Sequence, residues 1–133
     1  MKIAFFCVFL HFFSAAAFSS ANVKFDEFKV QAESTKSSKE RQVLLKKADD
    51  LLNSSLLSQA QTAYVLHRAA LVCIREGCFD QTIIYLAKLE TLLESFESLE
   101  YSGKLNLSRG NMAITRGNHF DAVPYLKAAA NFF

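Results

Sequence analysis

Histidine and cysteine are the residues with which this 133-residue chain could do chemistry, and there are three of each. His67 with Asp80, and His119 with Asp121, are pairs in which a carboxylate could orient an imidazole acting as a base. Such a base needs something to activate. No serine or cysteine stands in a recognisable nucleophile turn, no glycine-rich phosphate loop occurs, and neither histidine has a companion at metal-ligand spacing. The chain is therefore expected not to be an enzyme and to use no cofactor or metal, and His119 reads as a turn residue at a helix start. Cys73 and Cys78 are five apart. Inside one helix such residues diverge around the axis, whereas a disulfide needs Cα atoms within roughly 7 Å. A bridge requires Cys78 to lie beyond a helix end. Otherwise Cys73 is a core residue and Cys78 a free surface thiol.

The elements that hold these residues read as helices throughout. One proline and four glycines in the whole chain are too few for anything but helices joined by short turns. Phe25, Phe28 and Ala32 mark one face of a first helix over 22–32. Ser37 or Ser38 caps a second, over 39–53, with Val43, Leu44, Ala48, Leu51 and Leu52 inward. A third runs over 58–76 behind the stripe Ala63, Leu66, Ala69, Ala70, Cys73 and Ile74, and Gly77 stops it. Asp80 is the expected cap of a fourth helix reaching about Leu99, with Ile83, Leu86, Leu89, Leu92 or Leu93, and Phe96 inside. Glu90, Glu94, Glu97 and Glu100 form its solvated face. Tyr101-Ser102-Gly103 reads as a turn, 104–116 as a fifth helix ended by Gly117, and the rest as a sixth. Pro124 is expected in the first turn of that last helix, where a missing N–H costs nothing, so the run Val123, Leu126, Ala129, Ala130 continues past it.

The amino terminus reads as a secretory signal over 1–21. Lys2 supplies the positive charge, Ile3 to Phe13 the apolar stretch, and Ala15/Ala17 or Ser19/Ala21 the small residues a signal peptidase requires. Cleavage is expected after Ala21, with Ala17 the second choice, placing the mature chain in the periplasm or outside the cell. The apolar run is shorter than the roughly 20 residues of a spanning helix and contains His11, so no stable membrane span is expected once the signal is cut. A net charge of +2, with acids and bases interleaved, offers no surface for nucleic acid.

Two stretches of the mature chain repeat. Arg75-Glu76-Gly77-Cys78-Phe79-Asp80 through Tyr85-Leu86 superposes on Thr115-Arg116-Gly117-Asn118-His119-Phe120 through Tyr125-Leu126, with Gly77 matching Gly117 and Ile83 matching Val123. Ala69 and Ala70, and later Gly110, supply small residues in the first helix of each unit. On these residues, over about 61–133, the chain resembles the tetratricopeptide repeat family. Its spacing of 40 residues is longer than the about 34 of the standard unit. Thr82 stands where alanine is usual, and Asn106 and Arg109 where apolar residues are usual.

The resemblance implies an all-α fold of antiparallel helix hairpins stacked as an α-solenoid. Residues 22–56 would form a degenerate first repeat, and about 57–100 and 102–133 two further hairpins. It also implies a protein-interaction scaffold whose first helices line a concave groove for a peptide or protein segment. The groove residues would be Tyr64, His67, Leu71, Ile74 and Arg75 from one unit and Lys104, Leu107, Asn111, Ile114 and Thr115 from the next. An alternative is a truncated extracytoplasmic sensor region of a larger signalling protein, of diguanylate cyclase or histidine kinase type. Phe132 and Phe133 end the sequence on an apolar edge, where the rest of a longer protein, a partner or a second copy would cover them.

Overall fold

A computed structural model of the chain describes residues 19–133; the expected signal sequence lies outside them except for its last three residues. Among the described residues there are six helices and no strand. They are α1 (19–34), α2 (Ser38–Ser54), α3 (Gln59–Glu76), α4 (Phe79–Leu93), α5 (Leu99–Thr115) and α6 (His119–Ala130). None is long and apolar enough to cross a membrane.

Local chemistry starts three of these helices. Ser37 Oγ accepts from the Glu40 N–H at 3.2 Å while the Glu40 carboxylate accepts from the Ser37 N–H at 3.2 Å. Ser58 and Gln61 repeat this reciprocal cap at 3.1 and 3.0 Å. Ser98 Oγ accepts from the Tyr101 N–H at 3.2 Å and opens α5.

That last cap overturns the expected boundary between the fourth and fifth helices. α4 ends at Leu93, and Tyr101-Ser102-Gly103 lie inside α5 instead of forming a turn. Gly103 misled because glycine usually punctuates helices. Here it is buried, and a Cβ at that position would come within 2.8 Å of Phe132 and Phe133. Gly110 serves the same purpose two turns along the same face, where a Cβ would meet Leu126 at 2.6 Å. With Ala113, Ala122 and Ala129 buried between them, α5 and α6 approach closely on small residues.

Three further expectations change. Asp80 does not cap α4; Cys78 occupies that place without a side-chain bond, and Asp80 sits in the first turn, where its charge suits the helix dipole. Ile83 is exposed, and the inward row is Thr82, Tyr85, Leu86 and Leu89. Thr82 can be buried because its hydroxyl donates to the Cys78 carbonyl at 3.2 Å. Pro124 is the sixth residue of α6, beyond the first turn. The helix nevertheless continues. The carbonyl deprived of a partner belongs to Phe120, which is 94% exposed and therefore open to water.

The two glycine corners are equivalent in detail. Gly77 and Gly117 have φ of 79° and 80°. Behind them, the Cys78 N–H donates to Cys73 O at 2.9 Å and the Asn118 N–H to Ala113 O at 2.8 Å, while the glycine N–H groups reach Ile74 and Ile114. Both are Schellman closures, which need a left-handed residue. The next helix then begins two residues on, at Phe79 and His119.

The result is a stack of antiparallel hairpins, with α3 at its centre against α2, α4 and α5. Its buried residues, Ala63, Val65, Leu66, Ala69, Ala70, Cys73 and Ile74, occupy more than one face, as a helix with neighbours on several sides requires. Phe28 of α1, Leu44, Ala48 and Leu51 of α2, the α3 residues, Tyr85, Leu86 and Leu89 of α4 and Leu105 of α5 form one continuous core. Ion pairs tie its outside. Arg41 of α2 pairs with Glu76 of α3, and Arg109 of α5 with Glu90 of α4. The expected solvated acidic face is thus partly engaged, and Arg109 stands at an apolar repeat position because it reaches outward to Glu90.

Candidate functional site

α3 and α5, the first helices of successive hairpins, pack directly on each other and run parallel. The groove residues expected on these helices separate into two groups. Tyr64 and Ile74 belong to the interior. Phe25 and Phe28 of α1 meet the Tyr64 ring edge-on at 5.6 and 6.4 Å, Lys29 and Arg68 lie over it, and its hydroxyl is buried without a hydrogen-bond partner among the described residues. Ile74 is buried behind the Gly77 corner.

The others stay at the surface and are partly brought together. His67 packs edge-on against Tyr101, ring centroids 6.3 Å apart, and Lys104 Nζ lies 5.0 Å above the same ring. Lys104 also pairs with Glu100 at 2.5 Å. Tyr101 therefore links His67 to Lys104, a role hidden as long as it was read as a turn residue. The spacing of Glu100 and Lys104, four apart, was the signal that this segment is helical. One turn further along come half-buried Leu71 on α3 and Leu107 on α5, 40% exposed. Arg75, Asn111, Ile114 and Thr115 complete the row, all exposed.

The imidazole on this face is uncharged at neutral pH. Burial first, then the charges of Lys104 and Arg68, hold the His67 pKa down to about 4. The folded protein thus refuses a proton that the unfolded chain accepts below about 6.5. Stability contributed by neutral His67 is complete above that value and falls as pH drops toward 4. With the ring only half-buried, a loss of about 1–3 kcal/mol is expected across the window. Urea midpoints at pH 7.5 and 4.5 should differ by less in His67→Gln than in the parent chain. An identical pH dependence in the two would remove this assignment.

The paired residues considered for catalysis are not joined. Among the described residues no hydrogen bond links His67 to Asp80 or His119 to Asp121; His67 contacts Tyr101 instead, and Asp80, His119 and Asp121 are exposed. No group of three or more described His, Cys, Asp or Glu side chains is placed to hold a metal ion.

A second feature escaped sequence reasoning. A hollow of about 510 Å³ opens between α4, α5 and α6, lined by Ile83, Arg109, Met112, Arg116, Phe120 and Tyr125 among others. Of its apolar walls, Ile83 comes from a position that periodicity assigns to the interior. Arg116 also stacks over Phe79, 5.5 Å from the ring centre. Phe132 and Phe133, the expected apolar edge, fold back toward Gly103, yet Phe133 remains 70% exposed.

Compared with known proteins, the chain matches no family model, no curated protein and no solved structure.

Proposed function

We propose that this chain is an exported helical-repeat scaffold of the tetratricopeptide type that holds an extended or amphipathic protein segment along the α3–α5 face. The observation that carries the reading is the exposure of Leu107 and Ile114, at 40% and 41%, on a helix whose Leu105 and Ala113 are buried. They share that face with Leu71 and with polar groups able to fix an orientation. Arg68, Arg75 and Lys104 outnumber Glu100 there, so the segment would combine apolar anchors with flanking carboxylates. Each leucine contact fully buried on binding would contribute about 1.5–3 kcal/mol. Export follows from the Lys2, apolar and small-residue order at the amino terminus.

The test is recovery of partners from the cell's own exported fraction by the mature chain and by a Leu71→Asp/Leu107→Asp variant. Two buried carboxylates in an apolar contact should reduce recovery at least tenfold, about 1.4 kcal/mol or more, while far-ultraviolet circular dichroism stays helical. Equal recovery by both proteins places binding elsewhere and ends the proposal.

A further inference from the structure

The corner between α3 and α4 returns the chain onto itself at its two cysteines. Cys73 is in the last turn of α3, and Cys78 follows the left-handed Gly77. The Cys78 N–H donates to Cys73 O at 2.9 Å, and the Cys78 thiol lies 3.5 Å from the same oxygen. One N–H···O contact of this length, with two covalent bonds on one side and one on the other, limits the Cα separation to about 7 Å, within reach of a disulfide. The divergence expected of residues five apart in a helix therefore does not apply, because the helix ends between them. The equivalent places at the second corner are Ala113 and Asn118, so the geometry is repeated and the sulfur chemistry is not.

We propose that Cys73 and Cys78 form a disulfide that locks the α3–α4 corner when the protein meets a disulfide oxidant, such as oxidised glutathione or a thiol–disulfide oxidase. Cys78, the half-buried thiol, acts first: as thiolate it attacks the oxidant's disulfide, forms a mixed disulfide and releases one thiol. Cys73 then loses its proton, attacks the Cys78 sulfur and expels the second thiol. The protein loses two protons and two electrons, and the oxidant's disulfide becomes two thiols. Cys73 is buried, and burial followed by contact with the Cys78 thiol raises its pKa above the ordinary thiol range. It is thus protected from other electrophiles and reacts with the neighbour that the corner delivers. Both thiols are free in this structure, which is the reduced form. The inference uses no part of the peptide-binding reading; export would only supply the oxidant.

The sequence makes the test direct. Trypsin cuts after Arg75, between the two cysteines, giving peptides 69–75 and 76–88. The full chain is equilibrated in a glutathione buffer rich in the oxidised form, quenched with an alkylating reagent and digested without reduction. The expected product is one disulfide-linked pair of these peptides, about 2 Da lighter than the sum of the two thiol forms. Reduction should release both. Amide exchange at Gly77 and Cys78 should slow at least tenfold in the oxidised protein. Two separately alkylated peptides would overturn the proposal, as would glutathione retained on Cys78 alone, because Cys73 would then have failed to reach it. Cys78→Ser provides the control: its folded form should leave Cys73 unmodified until denaturant is added, and rapid native labelling of Cys73 would also count against the mechanism.

Discussion

Phe28→Ala is expected to lower the unfolding free energy by about 3–5 kcal/mol, with a fall in melting temperature of roughly 10–20 °C. Phe28 is 1% exposed and belongs to the same continuous core as α2, α3, α4 and α5. Truncation removes the aromatic contact with Tyr64 as well as the buried ring area. The cavity would sit where α1 joins the stack, and few other side chains anchor that helix. Outside the apolar contact, α1 is held by Gln61 donating to Asn22 at 2.9 Å and Lys47 donating to Gln31 at 2.7 Å, both near the surface and each worth about 1 kcal/mol. Because the core is continuous, the loss should appear in one cooperative transition seen alike by circular dichroism and tyrosine fluorescence. A separate early transition confined to α1, with the main transition unmoved, would show that α1 is an independent appendage.

The second large effect is a difference between equivalent positions. Leu86 and Leu126 occupy the same place in the two repeated segments, 40 residues apart, yet Leu86 is 2% exposed and Leu126 is half-buried against α5. Their tyrosine neighbours show the same contrast, Tyr85 at 3% exposure and Tyr125 at 38%. Tyr85 also donates to Asp49 of α2 at 2.6 Å, and the residue 40 places after Asp49 is Leu89, which offers Tyr125 no side-chain acceptor. Leu86→Ala should therefore cost about 2–5 kcal/mol and Leu126→Ala only about 1–2 kcal/mol, measured by urea unfolding in dilute solution. The reason is that truncating a side chain wholly removed from water forfeits more buried area and packing than truncating one already half in water. Equal costs that persist on dilution would refute this difference in burial as the cause. Equal costs that separate on dilution would assign a second copy of the chain to the outer face of α6, beside Phe132 and Phe133.

Several local rules read correctly from sequence because their partners lie within a few residues. Ser37, one of the two caps expected for α2, and the glycines at 77 and 117 each settle a helix end through bonds spanning five residues or fewer, and the Ser58–Gln61 cap that the structure adds is equally local. The same locality made the repeated corners visible as a repeated string. The surface of α3 and α5 is legible in part: periodicity already places Ile74 on the inward stripe of α3, but nothing local shows that α1 covers Tyr64.

Sequence by itself thus determined that the described chain is helical, where α2 starts and where α3 and α5 stop, and that two of its corners are alike. Tertiary structure alone decided which row of α4 faces the core, that Gly103 and Gly110 are points of close helix contact, that Tyr101 joins His67 to Lys104, and that Cys78 returns onto Cys73. The physical reason is the range of the interactions. Capping and corner bonds are made by neighbours along the chain, whereas burial, proton affinity and the need for a missing Cβ are set by side chains brought together from distant parts of it.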